Sequence, residues 1–351
     1  MTIKPPSTSP AGPDSGALAE QSDFVSDAFR DSWVHALLPR RVWPYAQLAR
    51  WERPIGSWLL LWPCLWSFAL GHGVAWGRED TPLAFDPGAI VLGFAAFFIG
   101  AIAMRGAGCT YNDIVDQGID GQVERTASRP LPSGRVDRRG AMLFIVAQAI
   151  VGLLALLTLC SIPGLPAGSE GGFNAYAFVL ALASLAIVFF YPFAKRITDW
   201  PQLVLGLAFS WGALMGWAVT FGTLAAPAFW LYVGSIAWVI GYDTIYAHQD
   251  REDDALIGVR STARLFGENT RPALFGLYIF ALVSFAVAAW TAGADWPAYV
   301  GLALGAAQMV NQLRSLDIND ADLCLKLFQS NSQFGWLVFV GFASAAILNL
   351  I

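Results

Sequence analysis

Charged residues are scarce in this 351-residue sequence, in which Asp, Glu, Lys and Arg together account for 13%. A typical soluble domain has roughly 25%. Hydrophobic residues make up 56% of the chain and aromatic residues 14%, and the apolar residues form runs long enough to cross a bilayer. The composition excludes a soluble enzyme with a polar surface. It predicts an all-α, polytopic membrane protein that is surrounded by membrane lipid.

Cysteine pairs and basic stripes are also missing. The four cysteines are widely separated, with no CxxC or Cys/His spacing, so the sequence indicates neither a disulfide framework nor a zinc site. The net charge of −5 is small and no stripe of Lys and Arg is present. We therefore expect no nucleic-acid partner, and the sequence identifies no protein partner.

The first 32 residues lack the apolar region of a secretory signal. The four acids within residues 1–30 argue against a mitochondrial transit peptide, which should be rich in Arg and poor in acids. Because the stretch is rich in Pro, Ser, Gly and Ala, it predicts a disordered N-terminal tail over residues 1–32. Residues 33–351 are then predicted to form one membrane domain.

Nine apolar segments of near-spanning length are predicted: 56–76, 88–108, 141–160, 173–191, 202–221, 223–242, 273–293, 297–312 and 333–351. With the N-terminus in the cytoplasm, every Lys and Arg except Arg78 lies on the cytoplasmic side or at its border, as the positive-inside rule requires. Since no transit signal is recognised, we expect a bacterial inner (cytoplasmic) membrane. Both the N-terminus and the active site would lie on the cytoplasmic side.

A first group of polar residues follows the second apolar segment. Asn112, Asp116 and Asp120 have the spacing i, i+4, i+8. On a helix they form one ridge, in which each side chain is turned about 40° from the previous one. One amide and two carboxylates in such a ridge repel one another unless a cation binds to them. Asp113 lies off the ridge and is expected either to face solvent or to support the ridge from behind.

A second group of acids follows the sixth apolar segment. Asp250 and Asp254 are again spaced i, i+4, and Asp243 lies two helical turns before Asp250 on the same face. Each group is followed by a short basic turn, Arg125-Thr126 in the first and Arg260-Ser261-Thr262 in the second. The arrangement resembles a weak internal repeat that would bring the two ridges face to face.

Two facing acid ridges are suited to bind a diphosphate through metal ions. Mg²⁺ prefers oxygen ligands and often binds through one or two carboxylates plus substrate phosphates. Basic side chains would neutralise the remaining phosphate charge. The candidate diphosphate-binding residues are Arg125, Arg129, Lys195, Arg196 and Arg260. Because an apolar bundle beside this clamp could take a long lipid chain, the residues predict a membrane enzyme that ionises a lipid diphosphate.

Four stretches of the chain resemble the UbiA superfamily of intramembrane aromatic prenyltransferases, and most of all its hydroxybenzoate branch. They are RPIGSWLLLWP at 53–63, residues 104–134 with the first ridge, YPFAKRITDWPQ at 191–202, and residues 242–262 with the second. The resemblance covers roughly residues 40–351. It implies a nine-helix bundle with cytoplasmic cap loops and a cavity open to the lipid.

The resemblance also implies a reaction. A polyprenyl group would pass from polyprenyl diphosphate to the ring carbon ortho to the hydroxyl of 4-hydroxybenzoate, with Mg²⁺ as cofactor, in ubiquinone biosynthesis. The residues implied to hold Mg²⁺ and diphosphate are Asn112, Asp116, Asp120, Asp250 and Asp254, and those implied to contact phosphate oxygens are Arg129, Lys195, Arg196 and Arg260.

Three further roles are predicted from position alone. Asp243 is the candidate for orienting the phenol or accepting the ring proton. Arg105 lies two turns before Asn112 on the same helical face and is the first candidate for binding the benzoate carboxylate, with Arg53 as the second.

Two alternatives remain open at this point. A sister prenyltransferase would use the same clamp with another acceptor, such as dihydroxynaphthoate, homogentisate or haem. A cation or metabolite transporter would place acids along a route through the bilayer, whereas the acids of this chain cluster at one membrane border.

Overall fold

The computed structural model of the chain describes residue 25 and residues 32–77, 85–121, 124–165, 172–256 and 258–351. Within these ranges the regular secondary structure is helical and no strand occurs. The all-α prediction is therefore confirmed. The predicted disordered tail, residues 1–32, lies outside the described residues except for Val25 and Ser32.

The helices in chain order are α1 (Trp33–Leu37), α2 (Trp43–Leu48), α3 (Ile55–Trp76), α4 (Pro87–Asp120), α5 (Glu124–Ala127), α6 (Arg138–Cys160), α7 (Ala175–Ile197), α8 (Pro201–Phe209), α9 (Gly212–Phe221), α10 (Ala226–Ala247), α11 (Arg251–Leu256), α12 (Thr262–Phe266), α13 (Thr270–Thr291), α14 (Trp296–Ser315) and α15 (Ala321–Leu348). Short 3-10 turns lie at Arg40–Val42, His248–Asp250 and Gly267–Asn269.

Eight helical segments of the described chain are long and apolar enough to cross a membrane. They are Ile55–Trp76, Pro87–Gly118, Arg138–Cys160, Ala175–Ile197, Pro201–Phe221, Ala226–Asp250, Thr262–Thr291 and Ala321–Leu348. The predicted segment 297–312 lies in α14, which has 20 residues but includes Gln308, Gln312 and Arg314. The polytopic prediction is confirmed, while the count of nine spans and the cap loops stay predictions.

The chain divides into two compact units. The smaller unit comprises Met1–Arg53 and Cys109–Phe144, and the larger unit comprises Pro54–Gly108 and Ile145–Ile351. The predicted boundary between a tail at 1–32 and one membrane domain at 33–351 stays a prediction.

In the larger unit, aromatic side chains fill the space between α3, α10 and α15. Trp66 and Trp238 are fully buried, with ring centroids 5.0 Å apart. Each indole N–H donates a hydrogen bond, from Trp66 to the Gly335 carbonyl at 2.9 Å and from Trp238 to Asn331 Oδ1 at 2.9 Å. Buried polar groups in a membrane bundle must be satisfied internally, and these bonds also join the three helices.

Helices α14 and α15 approach each other closely at two glycines. A Cβ atom on Gly301 would lie 2.6 Å from the Leu337 carbonyl oxygen, and one on Gly341 would lie 2.9 Å from the Gly301 Cα. Small residues at such contacts allow helix backbones to pack tightly. Three turns further along α14, Gln312 accepts a hydrogen bond from the Tyr278 hydroxyl of α13 at 2.8 Å.

The smaller unit has its own apolar contacts. Val34, Trp43 and Ala46 form a small buried cluster that joins α1 to α2. The Tyr45 ring lies edge-on to Phe144, with centroids 5.2 Å apart. This packing holds the N-terminal helices of the smaller unit beside the start of α6.

Candidate active site

The first acid ridge lies on α4, which continues as a helix to Asp120, well beyond the apolar segment predicted to end at residue 108. The structure therefore places Asn112, Asp116 and Asp120 on one helix at the spacing of successive turns. Asp116 is fully buried, Asp120 is 6% exposed and Asn112 is half-buried. Carboxylates as buried as these need compensating charge or hydrogen bonds.

Two arginines of the smaller unit supply part of that compensation. Arg129 Nη1 donates to Asp120 Oδ2 at 2.9 Å and lies 3.6 Å from Asp113 Oδ1. Arg50 Nη2 donates to the same Asp113 oxygen at 2.7 Å. Asp113 is thus buried, and it supports the ridge by sharing Arg129 with Asp120 instead of facing solvent.

The conformation of Arg50 is unusual. Its φ angle is +57°, in the left-handed region that non-glycine residues rarely occupy. Arg50 Nη1 also donates to the Gln47 carbonyl at 2.7 Å, so this guanidinium is anchored on both sides. Sequence reasoning missed its role because Arg50 and Asp113 are 63 residues apart and no spacing rule connects them.

Arg129 compensates the buried carboxylate of Asp120 only in part. Burial raises the pKa of Asp120, Arg129 opposes that effect, and the charges of Asp113 and Asp116 raise the pKa further. A cation bound at the ridge would favour the ionised carboxylate. The first ridge is therefore suited to a positively charged ligand.

The donor atoms of the first ridge fit Mg²⁺ by their chemistry. Asn112, Asp116 and Asp120 provide amide and carboxylate oxygens, and Asp113 Oδ2 is buried with no hydrogen-bond partner among the described residues. Within the described residues, no group of three or more His, Cys, Asp or Glu is arranged to hold a metal ion by itself. Mg²⁺ commonly binds through one or two carboxylates and completes its coordination with substrate phosphates and water.

The second acid group lies in the larger unit at the end of α10. Helix α10 ends at Ala247, a 3-10 turn spans His248–Asp250, and α11 begins at Arg251. The prediction of one uninterrupted α-helix from Asp243 to Asp250 is therefore wrong, and the 3-10 turn, with about 3.0 residues per turn, changes the angle between the two side chains. Asp250 is half-buried, and the side chain of Asp254 lies outside the described residues.

A hydrogen-bonded chain of neutral groups surrounds Asp243. The Asp243 carboxylate accepts a hydrogen bond from the Gln202 side chain. Gln202 Oε1 in turn accepts from the Thr262 backbone N–H at 3.0 Å. The hydroxyls of Thr262 and Thr244 are 2.6 Å apart. Gln202 thereby links Asp243 to the first residue of α12, and nothing in the sequence pattern indicated this role.

The basic turn at Arg260 is held against the end of α7. The backbone N–H of Arg260 donates to the Lys195 carbonyl at 3.2 Å, and Arg260 Nη1 donates to the Ile197 carbonyl at 3.2 Å. Arg260 Nε also lies 3.8 Å from Asp199 Oδ1. Two predicted phosphate ligands, Lys195 and Arg260, thus come from neighbouring backbone segments. The exposed Arg196 lies over the Phe193 ring at 5.9 Å.

Arg105 lies against the first turn of α3. A Cβ atom on Gly56 would overlap the Arg105 guanidinium, so that glycine leaves room for it. Arg105, Tyr191 and Asp243 all lie within electrostatic reach of the buried Tyr242. The first candidate for carboxylate binding and the candidate for proton transfer thus both lie in the surroundings of Tyr242.

The last two predicted site residues are Arg53 and Arg125. Arg53 is half-buried and belongs to the smaller unit, just before α3. Arg125 lies on α5, and its side chain is outside the described residues.

Comparison with known proteins gives consistent results. A family model described as the UbiA prenyltransferase family matches residues 60–338. "4-hydroxybenzoate polyprenyltransferase, mitochondrial" of Drosophila pseudoobscura pseudoobscura is 43% identical over 306 residues, which cover 87% of this chain and 71% of that protein. The Arabidopsis thaliana protein of the same name is 41% identical over 313 residues, covering 88% and 70%.

Solved structures show the same fold. A UbiA homolog from Aeropyrum pernix K1 has a TM-score of 0.62 at 24% identity, covering 85% of this chain and 99% of its own. A UbiA homolog from Archaeoglobus fulgidus, solved bound to GPP and Mg²⁺, has a TM-score of 0.57 at 17% identity, covering 87% and 99%.

The predicted localisation needs correction. The similar proteins from insects and plants are described as mitochondrial, which points to an organellar membrane. The expectation of a bacterial inner membrane is therefore wrong. That expectation depended on taking the N-terminal acids as evidence against a mitochondrial transit peptide. Those acids lie outside the described part of the chain.

Proposed function

The chain belongs to the UbiA prenyltransferase family, and we propose that it transfers a polyprenyl group from polyprenyl diphosphate to the ring carbon ortho to the hydroxyl of 4-hydroxybenzoate. Diphosphate is the second product, and the reaction belongs to ubiquinone biosynthesis. The observation that carries the proposal is that relatives of this name align along most of the chain, including both acid groups.

The diphosphate would be held between acidic and basic side chains. Mg²⁺, when bound, supplies positive charge that neutralises the departing diphosphate. The residues proposed to hold it are Asn112, Asp116, Asp120, Asp250 and Asp254. The residues proposed to contact phosphate oxygens are Arg125, Arg129, Lys195, Arg196 and Arg260. Charge-assisted hydrogen bonds from these groups would favour breaking of the carbon–oxygen bond, because negative charge develops on the diphosphate as that bond breaks.

The acceptor would be oriented by the residues around Tyr242. Arg105 binds the benzoate carboxylate, with Arg53 as the second candidate for this role. The apolar walls of the bundle exclude water from the allylic cation that forms as diphosphate leaves. The ring carbon then forms a carbon–carbon bond with that cation. Asp243, held by Gln202, accepts the proton that the ring carbon loses.

The test is prenyl transfer by the detergent-solubilised full chain. The assay supplies geranyl diphosphate and labelled 4-hydroxybenzoate with either Mg²⁺ or EDTA. We expect prenylated 4-hydroxybenzoate only with Mg²⁺, and loss of at least about 100-fold in the Asp116→Ala and Asp250→Ala variants. Asp295→Ala, which removes an acid from the connection between α13 and α14, is the matched control and should keep activity.

Each other outcome has a distinct meaning. Turnover of dihydroxynaphthoate or homogentisate in place of 4-hydroxybenzoate would contradict 4-hydroxybenzoate as the acceptor. The proposed binding of Mg²⁺ and diphosphate by the two acid groups would still stand. If folded protein transferred the prenyl group to no acceptor, the prenyltransferase proposal would be contradicted.

The acceptor site has a test of its own. Replacing Arg105 by Ala should raise the KM for 4-hydroxybenzoate about tenfold or more, since hydrogen bonds to charged groups contribute about 1.5–3 kcal/mol. The KM for the prenyl diphosphate should change little. An equal rise in both KM values would contradict the assignment of Arg105 to the carboxylate.

A further inference from the structure

A groove away from the proposed active site lies between α13 and α14 of the larger unit. It has a volume of about 450 Å³ and is open along one side. Its lining residues are Arg271, Pro272, Phe275, Val310, Leu313 and Arg314. The groove thus combines a mainly apolar wall with two guanidinium groups.

The two arginines lie at the same end of the helix pair. Arg271 is in the first turn of α13 and Arg314 is in the last turn of α14, and the two helices are joined by a connection of a few residues at their other ends. Both side chains are exposed, and neither forms an ion pair with a carboxylate in the part of the chain that the structure describes. Arg271 Nη2 donates to the Leu316 carbonyl at 2.7 Å, which holds that guanidinium at the groove.

The apolar part of the groove is exposed along the helices. Phe275 is 57% exposed and Val310 is 42% exposed, although both belong to helices that pack firmly on the rest of the unit. Phe275 lies one turn after Arg271, and Val310 lies one turn before Arg314. An apolar surface therefore runs from the guanidinium pair towards the middle of the helices.

We propose that this groove binds an anionic phospholipid, with its phosphate between Arg271 and Arg314 and an acyl chain along Phe275 and Val310. Two exposed guanidiniums that form no ion pair with a carboxylate among the described residues are complementary to a phosphodiester, which they can bind by charge-assisted hydrogen bonds. Basic pockets between transmembrane helices are suited to acidic lipid head groups. A free phosphate would leave the apolar wall unused, and a zwitterionic lipid would add a positive charge beside the arginines.

The proposed lipid site is connected to the second acid group. Thr270, the residue before Arg271, makes a hydrogen bond with His248 Nε2 at 3.0 Å. His248 belongs to the 3-10 turn that ends at Asp250. Binding of a lipid at Arg271 would therefore brace the start of α13 and the turn that carries Asp250.

The experiment measures lipid retention by the full chain. Protein stripped in detergent is reconstituted into nanodiscs of phosphatidylcholine, with or without phosphatidylglycerol or cardiolipin, and bound lipid is counted by native mass spectrometry after release into detergent. The wild type should retain an anionic phospholipid and show a higher Tm with it. The double variant Arg271→Ala with Arg314→Ala should retain the lipid at least tenfold less well.

Two further variants separate the site from general charge effects. Arg138→Ala with Arg139→Ala removes the same charge from exposed positions at the start of α6 and should retain lipid as the wild type does. Val310→Trp fills the apolar part, keeps both arginines and should weaken retention. Equal retention in both double variants would overturn the proposal. So would a Tm increase given by inorganic phosphate alone that matches the increase given by the lipid.

Discussion

The two acid groups balance their carboxylates in different ways. In the first, Asp113 and Asp120 are paired with the guanidiniums of Arg50 and Arg129. In the second, Asp243 is held by the neutral amide of Gln202. An arginine partner adds a compensating positive charge, whereas an amide partner provides a hydrogen bond without one. The contrast fits the roles proposed for the two groups, the first in binding a charged ligand and the second in accepting a proton.

Removing Arg129 should have the largest effect, because its partners are buried. Arg129→Ala would leave Asp120 without its 2.9 Å ion pair and would weaken the support of Asp113. Breaking a buried pair from one side costs about 3–5 kcal/mol. We expect a clear fall in Tm together with loss of prenyl transfer, measured by thermal unfolding in detergent and by the transfer assay.

The matched control for this change is Arg138→Ala, which removes an exposed arginine from the start of α6. It should leave both Tm and activity close to those of the wild type. An Arg129→Ala protein as stable as this control would mean that the first ridge does not depend on its arginines.

Replacing Gln202 should have an intermediate effect that falls mainly on the chemical step. Gln202→Leu removes the hydrogen bond to Asp243 and leaves the Thr262 N–H without its acceptor. Leaving such groups unsatisfied costs about 1–3 kcal/mol. We expect kcat to fall about tenfold or more while both KM values change little, as steady-state kinetics would show.

Thr244→Val is the control for Gln202, since it removes the contact with the Thr262 hydroxyl but leaves the amide next to Asp243. Its kcat should stay near the wild-type value. If Thr244→Val lowered kcat as much as Gln202→Leu does, Gln202 would be only a structural support of the turn.

The smallest effect is expected for the exposed ion pair between Arg260 and Asp199 in the larger unit. Arg260 Nε and Asp199 Oδ1 are 3.8 Å apart, and the two side chains are 48% and 54% exposed. Ion pairs of this kind contribute about 0–1 kcal/mol. Asp199→Asn should therefore leave the free energy of unfolding nearly unchanged. If Asp199→Asn lowered the free energy of unfolding as much as Arg129→Ala does, the contrast between the exposed ion pair and the buried one would be contradicted.

The helices and the first ridge could be predicted from the sequence because both follow from local periodicity. Apolar runs marked the membrane segments, and the spacing of Asn112, Asp116 and Asp120 is a property of one continuous helix. The break after Ala247 could not be predicted, since no Pro or Gly marks it and residues 242–254 read as an uninterrupted helix.

The contacts between residues far apart in the chain could not be predicted from the sequence for a different reason. Arg50 meets Asp113, and Gln202 meets Asp243, only because tertiary packing brings distant segments together. The identity of the membrane could not be predicted either, because the distribution of Lys and Arg reports which side of a membrane a loop occupies and does not identify the membrane.

The backbone contact between Gly301 and Gly341 bears on how α14 is inserted during synthesis. Helix α14 is less apolar than the eight candidate spans, so its insertion into the bilayer as a single helix is only weakly favourable. Its partner α15 follows after only a few residues and allows close backbone packing along the shared face. As the predicted ninth span, α14 would therefore enter the membrane with α15 as one hairpin, and a nascent chain that stopped at Ser315 would hold α14 poorly in the bilayer.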